Sequence, residues 1–144
     1  MYILPVKPYD YDRKLSKYFK LGEFIQSRTA VQQKITNQFV HRDHVVENII
    51  FLHDRLLLPL REAIDSPITI TSGYRCSALN AAVSGATNSL HLQGLAVDVY
   101  AGNRQAMLIE TAHLFDFHEL IIHKSYVHLS IKRCWNERKV RDLR

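Results

Sequence analysis

Apolar side chains recur every three or four positions along the segment from His41 to Ile64. This spacing predicts one long amphipathic helix, which Pro59 should kink or restart. A second helical pattern covers residues 104–115 and follows Asn103, a residue that often caps helix starts. Shorter helices are predicted at residues 77–83 and within residues 21–30, the latter ending near Ser27. These segments supply the helices of a single core.

Strand patterns occur in four segments, at residues 68–72, 94–101, 118–123 and 126–131. The last two flank Lys124 and Ser125, which predicts an antiparallel hairpin with a two-residue turn. In that register Ile121 pairs with His128. The resulting α+β prediction is a domain with a small, mainly antiparallel sheet and flanking helices.

The length of 144 residues and the apolar fraction of 47% predict a single domain over residues 1–144. Residues 1–20 lack periodicity and are expected to form an extended arm. Residues 132–144 form a basic tail that carries part of the net charge of +5. Such a tail favours an anionic partner or is simply solvated. Aromatic residues do not alternate with the basic ones, so we do not expect nucleic acid as a partner, and we expect a monomer.

Neither a membrane span nor an export signal is evident in the sequence. No run of about 18 apolar residues occurs. The first residues lack a cationic start followed by an apolar core. We therefore expect a protein without membrane contact that is made in the cytoplasm and reaches any external site of action after release by other means.

A candidate metal site lies in the second half of the chain. His91 and Asp98 stand seven residues apart around Gly94, and His128 follows in a predicted strand. Three protein ligands leave the fourth position of a tetrahedral zinc open for water, which is typical of catalytic rather than structural zinc. A carboxylate in a strand is costly to bury without a cation, and for Asp98 an arginine is the alternative to a metal.

Other residues near these ligands suit acid–base and binding roles. His123, Glu119 and Ser130 share the hairpin face with His128 in the predicted register. Either His123 or Glu119 could move the proton of an activated water. Arg75 suits an oxyanion or a substrate carboxylate, with a surface ion pair as the alternative. Ser89 either binds substrate or only caps its loop.

The segments KYFKLGEF (17–24), SGYRCSALNAAVSGATNSLHLQGLAVDV (72–99) and VHLS (127–130) together resemble the zinc D-alanyl-D-alanine carboxypeptidase family, over about residues 19–131. The resemblance implies a fold shared with the hedgehog signalling domain and the VanX-type dipeptidases, one catalytic zinc ion, and peptide substrates from the bacterial cell wall. It implies His91, Asp98 and His128 as zinc ligands. It also implies transition-state or substrate binding by Arg75 and a pocket lined by Ser89.

The chain departs from the family pattern at the catalytic base. The dipeptidase branch and several phage endolysins place a glutamate three residues before the last ligand, where this chain has Ser125. The carboxypeptidase branch instead has histidines ahead of its last ligand, and His123, five residues before His128, fits that arrangement. Tyr126 stands where a histidine or tryptophan is usual, and we expect it to contact substrate.

These observations predict a zinc peptidase that hydrolyses D-alanyl-D-alanine or cross-link peptide bonds of peptidoglycan, in the manner of a phage or mobile-element lysis enzyme. The alternative is a zinc-stabilised module without catalysis that binds cell wall or a protein, because the glutamate is missing.

Overall fold

A five-stranded sheet organises the computed structural model, which describes residues 3–4, 11–40 and 43–144. A separate two-stranded ribbon pairs β1 (Ile3–Leu4) with β2 (Phe39–Val40). The main sheet has the order β3-β4-β6-β5-β7, and its pairs are antiparallel except the parallel β5–β7 pair. The strands are β3 (Thr69–Ser72), β4 (Ala96–Tyr100), β5 (Glu119–Ile122), β6 (Val127–Ser130) and β7 (Lys139–Asp142). The predicted α+β class with a mainly antiparallel sheet is confirmed.

Helices flank this sheet and are mostly short. The α-helices are α1 (Arg28–Gln32), α2 (Val45–Leu52), α3 (Leu58–Ile64), α4 (Ser77–Ala82) and α5 (Gln105–Ala112). Turns of 3₁₀ helix occur at Leu21–Phe24, Leu90–Gln93 and Gly102–Arg104. No helix among the described residues has both the length and the apolar character needed to cross a membrane.

The long predicted helix is present, and it contains a π-helical turn just before its proline. This turn, His53–Leu57, joins α2 to α3, with the Leu58 N–H donating to the His53 carbonyl five residues earlier. Pro59 follows at once, in the first turn of α3. The helix therefore runs on without a break. The predicted start at His41 lies outside the described residues.

Two predicted helix boundaries are wrong. Ser27 begins a helix instead of ending one, because its hydroxyl accepts a hydrogen bond from the Ala30 N–H as an N-cap. Asn103 does not cap α5; it lies inside the 3₁₀ turn, and Arg104 occupies the N-cap position. In both places a 3₁₀ turn precedes the α-helix, and the apolar spacing does not distinguish these two helix types.

The ends of the chain differ from the sequence picture. Two parts of the predicted arm, residues 1–2 and 5–10, lie outside the described residues. In the basic tail, residues Lys139–Asp142 form β7 and pair with β5. All four residues are exposed, so the segment is both an edge strand and a charged surface. A description of residues 132–144 as merely solvated is therefore incomplete.

The sheet separates a core face from a polar face. On β6, Val127 and Leu129 are fully buried in the core, beneath the helices. Their neighbours His128 and Ser130 point to the opposite face because side chains alternate along a strand. Burial of the apolar set fixes this register, since a one-residue slip would turn the valine and leucine outward. The hydrophobic core thus determines which side chains reach the polar face.

Candidate active site

Three potential metal ligands converge on the polar face of the sheet. Asp98 on β4 pairs directly with His128 on β6, and His91 comes from the 3₁₀ turn before β4. The Oδ1 atom of Asp98 lies 3.3 Å from His91 Nε2 and 3.0 Å from His128 Nδ1. One donor atom from each residue falls within 4.8 Å of the others. The sequence-predicted trio therefore forms one cluster.

The donor chemistry and spacing of this trio fit a zinc ion. Two imidazole nitrogens and one carboxylate oxygen are ordinary zinc ligands, and ligands at about 2.1 Å in tetrahedral geometry lie about 3.4 Å apart. His91 Nδ1 donates a 2.7 Å hydrogen bond to the Gly73 carbonyl oxygen. This bond orients the ring so that its other nitrogen, Nε2, faces Asp98. The cluster can thus bind a divalent metal with one position left open.

Gly94 makes the short connection between His91 and Asp98 possible. It ends the 3₁₀ turn with a φ of +77°, a left-handed conformation that favours glycine. A Cβ at this position would lie 3.0 Å from both Ile49 Cγ1 and the Val45 carbonyl oxygen. The predicted bend at Gly94 is confirmed, and α2 packs closely beneath it.

Asp98 is a buried carboxylate surrounded by donors. Burial raises its pKa, but hydrogen bonds from His128 and His91 outweigh burial and hold the pKa well below its ordinary value. Its second oxygen, Oδ2, faces Arg75 Nη2 at 3.5 Å. Asp98 thus has both partners considered from the sequence, the candidate metal position at Oδ1 and an arginine at Oδ2.

Arg75 is held firmly at the end of β3. Its Nε donates to Ser72 Oγ at 3.2 Å and its Nη1 donates to Asn80 Oδ1 at 3.2 Å. Burial lowers the pKa of Arg75 while the Asp98 carboxylate opposes that shift, and a guanidinium stays charged in either case. Asn80 is buried, and its amide also donates to the Ala86 carbonyl oxygen at 2.9 Å. It therefore links the arginine to the loop at the cleft edge.

Ser89 has the capping role that was one of its two predicted roles. Its hydroxyl oxygen accepts a hydrogen bond from the His91 N–H at 3.2 Å and caps the Leu90–Gln93 turn. The residue also lines the cleft, so its hydroxyl hydrogen can still be donated to a ligand. A role in substrate binding stays a prediction.

The β5–β6 hairpin has the predicted register. Ile121 pairs with His128, and the His123 N–H donates to the Tyr126 carbonyl oxygen at 3.0 Å. The rings of His123 and Tyr126 stack with their centroids 4.2 Å apart. Burial raises the pKa of Tyr126, as does the nearby Asp98 carboxylate.

The two candidate bases lie on β5 or just after it, on either side of the residue that pairs with the last ligand. Glu119 and His123 each stand two residues from Ile121, the cross-strand partner of His128. Glu119 faces Arg141 Nε at 3.7 Å. Within the described part of the chain, no acidic side chain lies within salt-bridge distance of His123. His123 is therefore the candidate whose ring is not engaged by a charged partner.

A cleft of about 800 Å³ unites these side chains. Every site residue predicted from the sequence lines it: Arg75, Ser89, His91, Asp98, Glu119, His123, Tyr126 and His128. Ser130 lines it too, and no described residue provides a hydrogen-bond partner for its buried hydroxyl. Further lining residues, among them His118, Lys139 and Arg141, were not predicted. Alternation along the predicted strand 118–123 would put His118 on the core face, but β5 begins only at Glu119. Lys139 and Arg141 join the site through the pairing of β7 with β5.

Comparison with known proteins places this site in a family. The sequence model of the Peptidase M15 family matches residues 17–130, which include all three potential ligands. None of the curated proteins that were compared matches the chain. The match covers most of the chain and agrees with the resemblance seen over about residues 19–131. The chain therefore belongs to the Peptidase M15 family, which is a family of metallopeptidases.

Proposed function

We propose that the protein is a zinc-dependent peptidase that hydrolyses D-alanyl-D-alanine or cross-link peptide bonds of bacterial peptidoglycan. The observation that carries this proposal is the convergence of His91, Asp98 and His128 in an open cleft. Membership of the Peptidase M15 family supports the peptidase chemistry. Ser125 stands where other branches of the family have a glutamate, and we therefore propose His123 as the base.

His91 Nε2, Asp98 Oδ1 and His128 Nδ1 are the atoms that would hold the zinc ion. When bound, zinc supplies Lewis acidity toward the scissile carbonyl and lowers the pKa of a water molecule. The hydrogen bond from His91 to Gly73 and the contact of Asp98 with Arg75 orient two of these ligands. Such supporting contacts increase the affinity and the geometric order of metal sites.

The remaining residues act on the substrate and its protons. A ring nitrogen of His123 accepts a proton from the attacking water and then donates it to the leaving amine. Glu119 is the alternative, but its carboxylate already faces Arg141. Arg75 stabilises the developing oxyanion or holds a terminal carboxylate of the substrate. Ser89 and Tyr126, which both line the cleft, contact the peptide.

The test is digestion of purified peptidoglycan fragments, analysed by mass spectrometry, with and without a zinc chelator. The expected result is one type of released product that disappears with chelator and returns with added zinc. The mass of the product identifies the bond. Binding of fragments by zinc-loaded protein without any cleavage would instead establish the inactive binding module.

The remaining parts of the proposal concern partners and place of action. Peptidoglycan peptides are the only partner we propose, and we propose that the protein acts as a single chain. Action on the wall requires release from the cytoplasm. Size-exclusion chromatography with light scattering tests whether the protein is a single chain, and a mass of 16.7 kDa is expected.

A further inference from the structure

Strand β7 extends the polar face of the sheet and adds two cationic side chains to it. One row of paired residues crosses the face as Ser72, Asp98, His128, Ile121 and Arg141. The neighbouring row runs Ala96, Ser130, Glu119 and Lys139. Because paired residues share a face of the sheet, Arg141 and Lys139 lie on the same side as the metal ligands.

Distance along these rows places β7 within reach of a bound peptide. Neighbouring strands are about 4.8 Å apart, so the backbone of Arg141 lies about 10 Å from that of His128. An extended peptide advances about 3.4 Å per residue. The side chains of β7 therefore stand two or three substrate residues away from the bond that faces the metal ligands.

The cleft favours an anionic ligand at this end. Four permanent cations line it, Arg75, Lys132, Lys139 and Arg141, against the three carboxylates Asp98, Glu119 and Glu137. A bound divalent ion adds further positive charge. Arg75 is committed to Asp98, and among the described residues no carboxylate lies within salt-bridge distance of Lys139. The same holds for Lys132, but Lys139 is the exposed one of the two and lies on β7 beside Arg141.

The contact between Arg141 and Glu119 leaves the arginine accessible. It measures 3.7 Å, and about half of the Arg141 side chain, 49%, remains exposed. Partly exposed ion pairs of this kind contribute little to stability. A substrate carboxylate can therefore share the guanidinium at little cost, and a forked guanidinium binds carboxylates well.

The position of β7 in the sequence indicates a role in selectivity. The family match ends at residue 130, whereas β7 spans Lys139–Asp142. The metal ligands and Arg75 all lie inside the match. The strand thus adds charged side chains beside a site whose metal ligands and arginine all lie within the family match.

We infer that Lys139 and Arg141 form a subsite for a carboxylate of the peptide substrate, two or three residues from the scissile bond, on the side away from Arg75. This inference rests on the proposed function for the identity of the substrate. It commits the cleft to peptides that extend at least two or three residues beyond the scissile bond and carry a carboxylate there.

The test uses two synthetic peptides that end in D-alanyl-D-alanine and differ only in one carboxyl group, two or three residues before the scissile bond, which is free or amidated. The variant is K139Q/R141Q. The matched control is R13Q/R104Q, which removes the same charge from exposed residues that do not line the cleft. Both kcat/KM and the affinity of zinc-loaded protein, measured by calorimetry, are determined.

We expect wild type to prefer the free carboxylate in both measurements. K139Q/R141Q should lose about tenfold on the free-acid peptide, through KM, as fits the loss of charge-assisted hydrogen bonds. It should be unchanged on the amidated peptide, and the control should match wild type on both. Equal losses on the two peptides, or no loss, would overturn the subsite.

Failure of the proposed function has a different signature. If neither peptide is cleaved but wild type still binds the free acid more tightly and K139Q/R141Q does not, the peptidase proposal fails and the subsite stands. If the peptides are cleaved with no preference for the carboxylate, the subsite fails and the peptidase proposal stands.

Discussion

The His91 side chain is anchored to the backbone of Gly73, with Nδ1 donating to the Gly73 carbonyl oxygen at 2.7 Å. The next residue, Tyr74, donates its N–H to the Phe24 carbonyl oxygen at 2.6 Å. The first turn of the family match, Leu21–Phe24, thus supports the strand end that orients a metal ligand. The conformation of one ligand depends on a segment nearly seventy residues away in sequence.

Gly73→Ala tests this support. A Cβ at residue 73 would press on the Phe24 backbone, with the Phe24 carbonyl carbon 2.8 Å away. Because backbone cannot give way easily, the Gly73 carbonyl should move and His91 should lose its anchor. We expect the free energy of unfolding to fall by about 1–3 kcal/mol and zinc affinity to fall about tenfold or more, measured by thermal unfolding and a competing zinc chelator.

Gly102→Ala is the control for that substitution. Gly102 also has a positive φ, +60°, but a Cβ there would meet nothing within 4 Å. The left-handed conformation should cost about 1–2 kcal/mol of stability, with zinc affinity unchanged. If Gly73→Ala binds zinc as tightly as Gly102→Ala does, the anchoring role of Gly73 is wrong.

Tyr74 should make stability sensitive to alkaline pH. It is buried, its hydroxyl donates to the Gln38 carbonyl oxygen at 2.7 Å, and burial raises its pKa far above the ordinary value. Burial disfavours the charged phenolate. Tyr74 therefore keeps its proton to a higher pH in the folded chain than in the unfolded chain. The contribution is full below about pH 10, the ordinary pKa, and declines as pH rises further.

Tyr74→Phe isolates this effect in urea titrations between pH 8 and pH 11. We expect the variant to be less stable than wild type near pH 8, by about 1 kcal/mol for one lost hydrogen bond, and the difference to shrink as pH rises. Tyr100→Phe is the control, because Tyr100 is exposed. A difference between Tyr74→Phe and wild type that stays constant over this pH range would contradict the prediction.

Substitution of the two candidate bases should give unequal losses. His123→Ala should lower kcat by about 10²- to 10⁴-fold, the range for removal of a general base, whereas Glu119→Gln should lower it much less. His113→Ala is the control, since His113 is exposed and does not line the cleft. Steady-state kinetics on a peptide substrate measures all three. A larger loss for Glu119→Gln would make Glu119 the base.

The sequence predicted the centre of the site because the responsible signals are local. The turn at Lys124 and Ser125 sets the register of the hairpin, and the pairing of Ile121 with His128 follows from it. The alternation of Val127 and Leu129 with His128 then fixes which face is polar. Gly94 marks the bend between the first two ligands. Each inference needed only a few adjacent residues.

The periphery of the site could not be predicted, because it depends on pairing between distant segments. Residues 139–142 are all exposed and show no apolar alternation. The sequence therefore contained no sign of β7, which is recognised by its parallel pairing with β5. His118 was placed in the predicted strand 118–123, but β5 begins at Glu119, and His118 reaches the cleft from just before it. Asn80 lies within the segment 72–99 that resembles the family, but its hydrogen bonds to both Arg75 and Ala86 are visible only in the folded loop.

The most direct measurement of the central claim is native mass spectrometry of zinc-treated wild type and Asp98→Asn, paired with cleavage of peptidoglycan fragments by the same samples. Asp98→Asn keeps the size of the side chain and removes its charge. Asp12→Asn, at an exposed position outside the cleft, is the control. We predict one zinc ion per chain and chelator-sensitive cleavage for wild type and the control, and neither for Asp98→Asn. A wild type that cleaves without zinc, or an Asp98→Asn variant that keeps both zinc and full activity, would contradict the account.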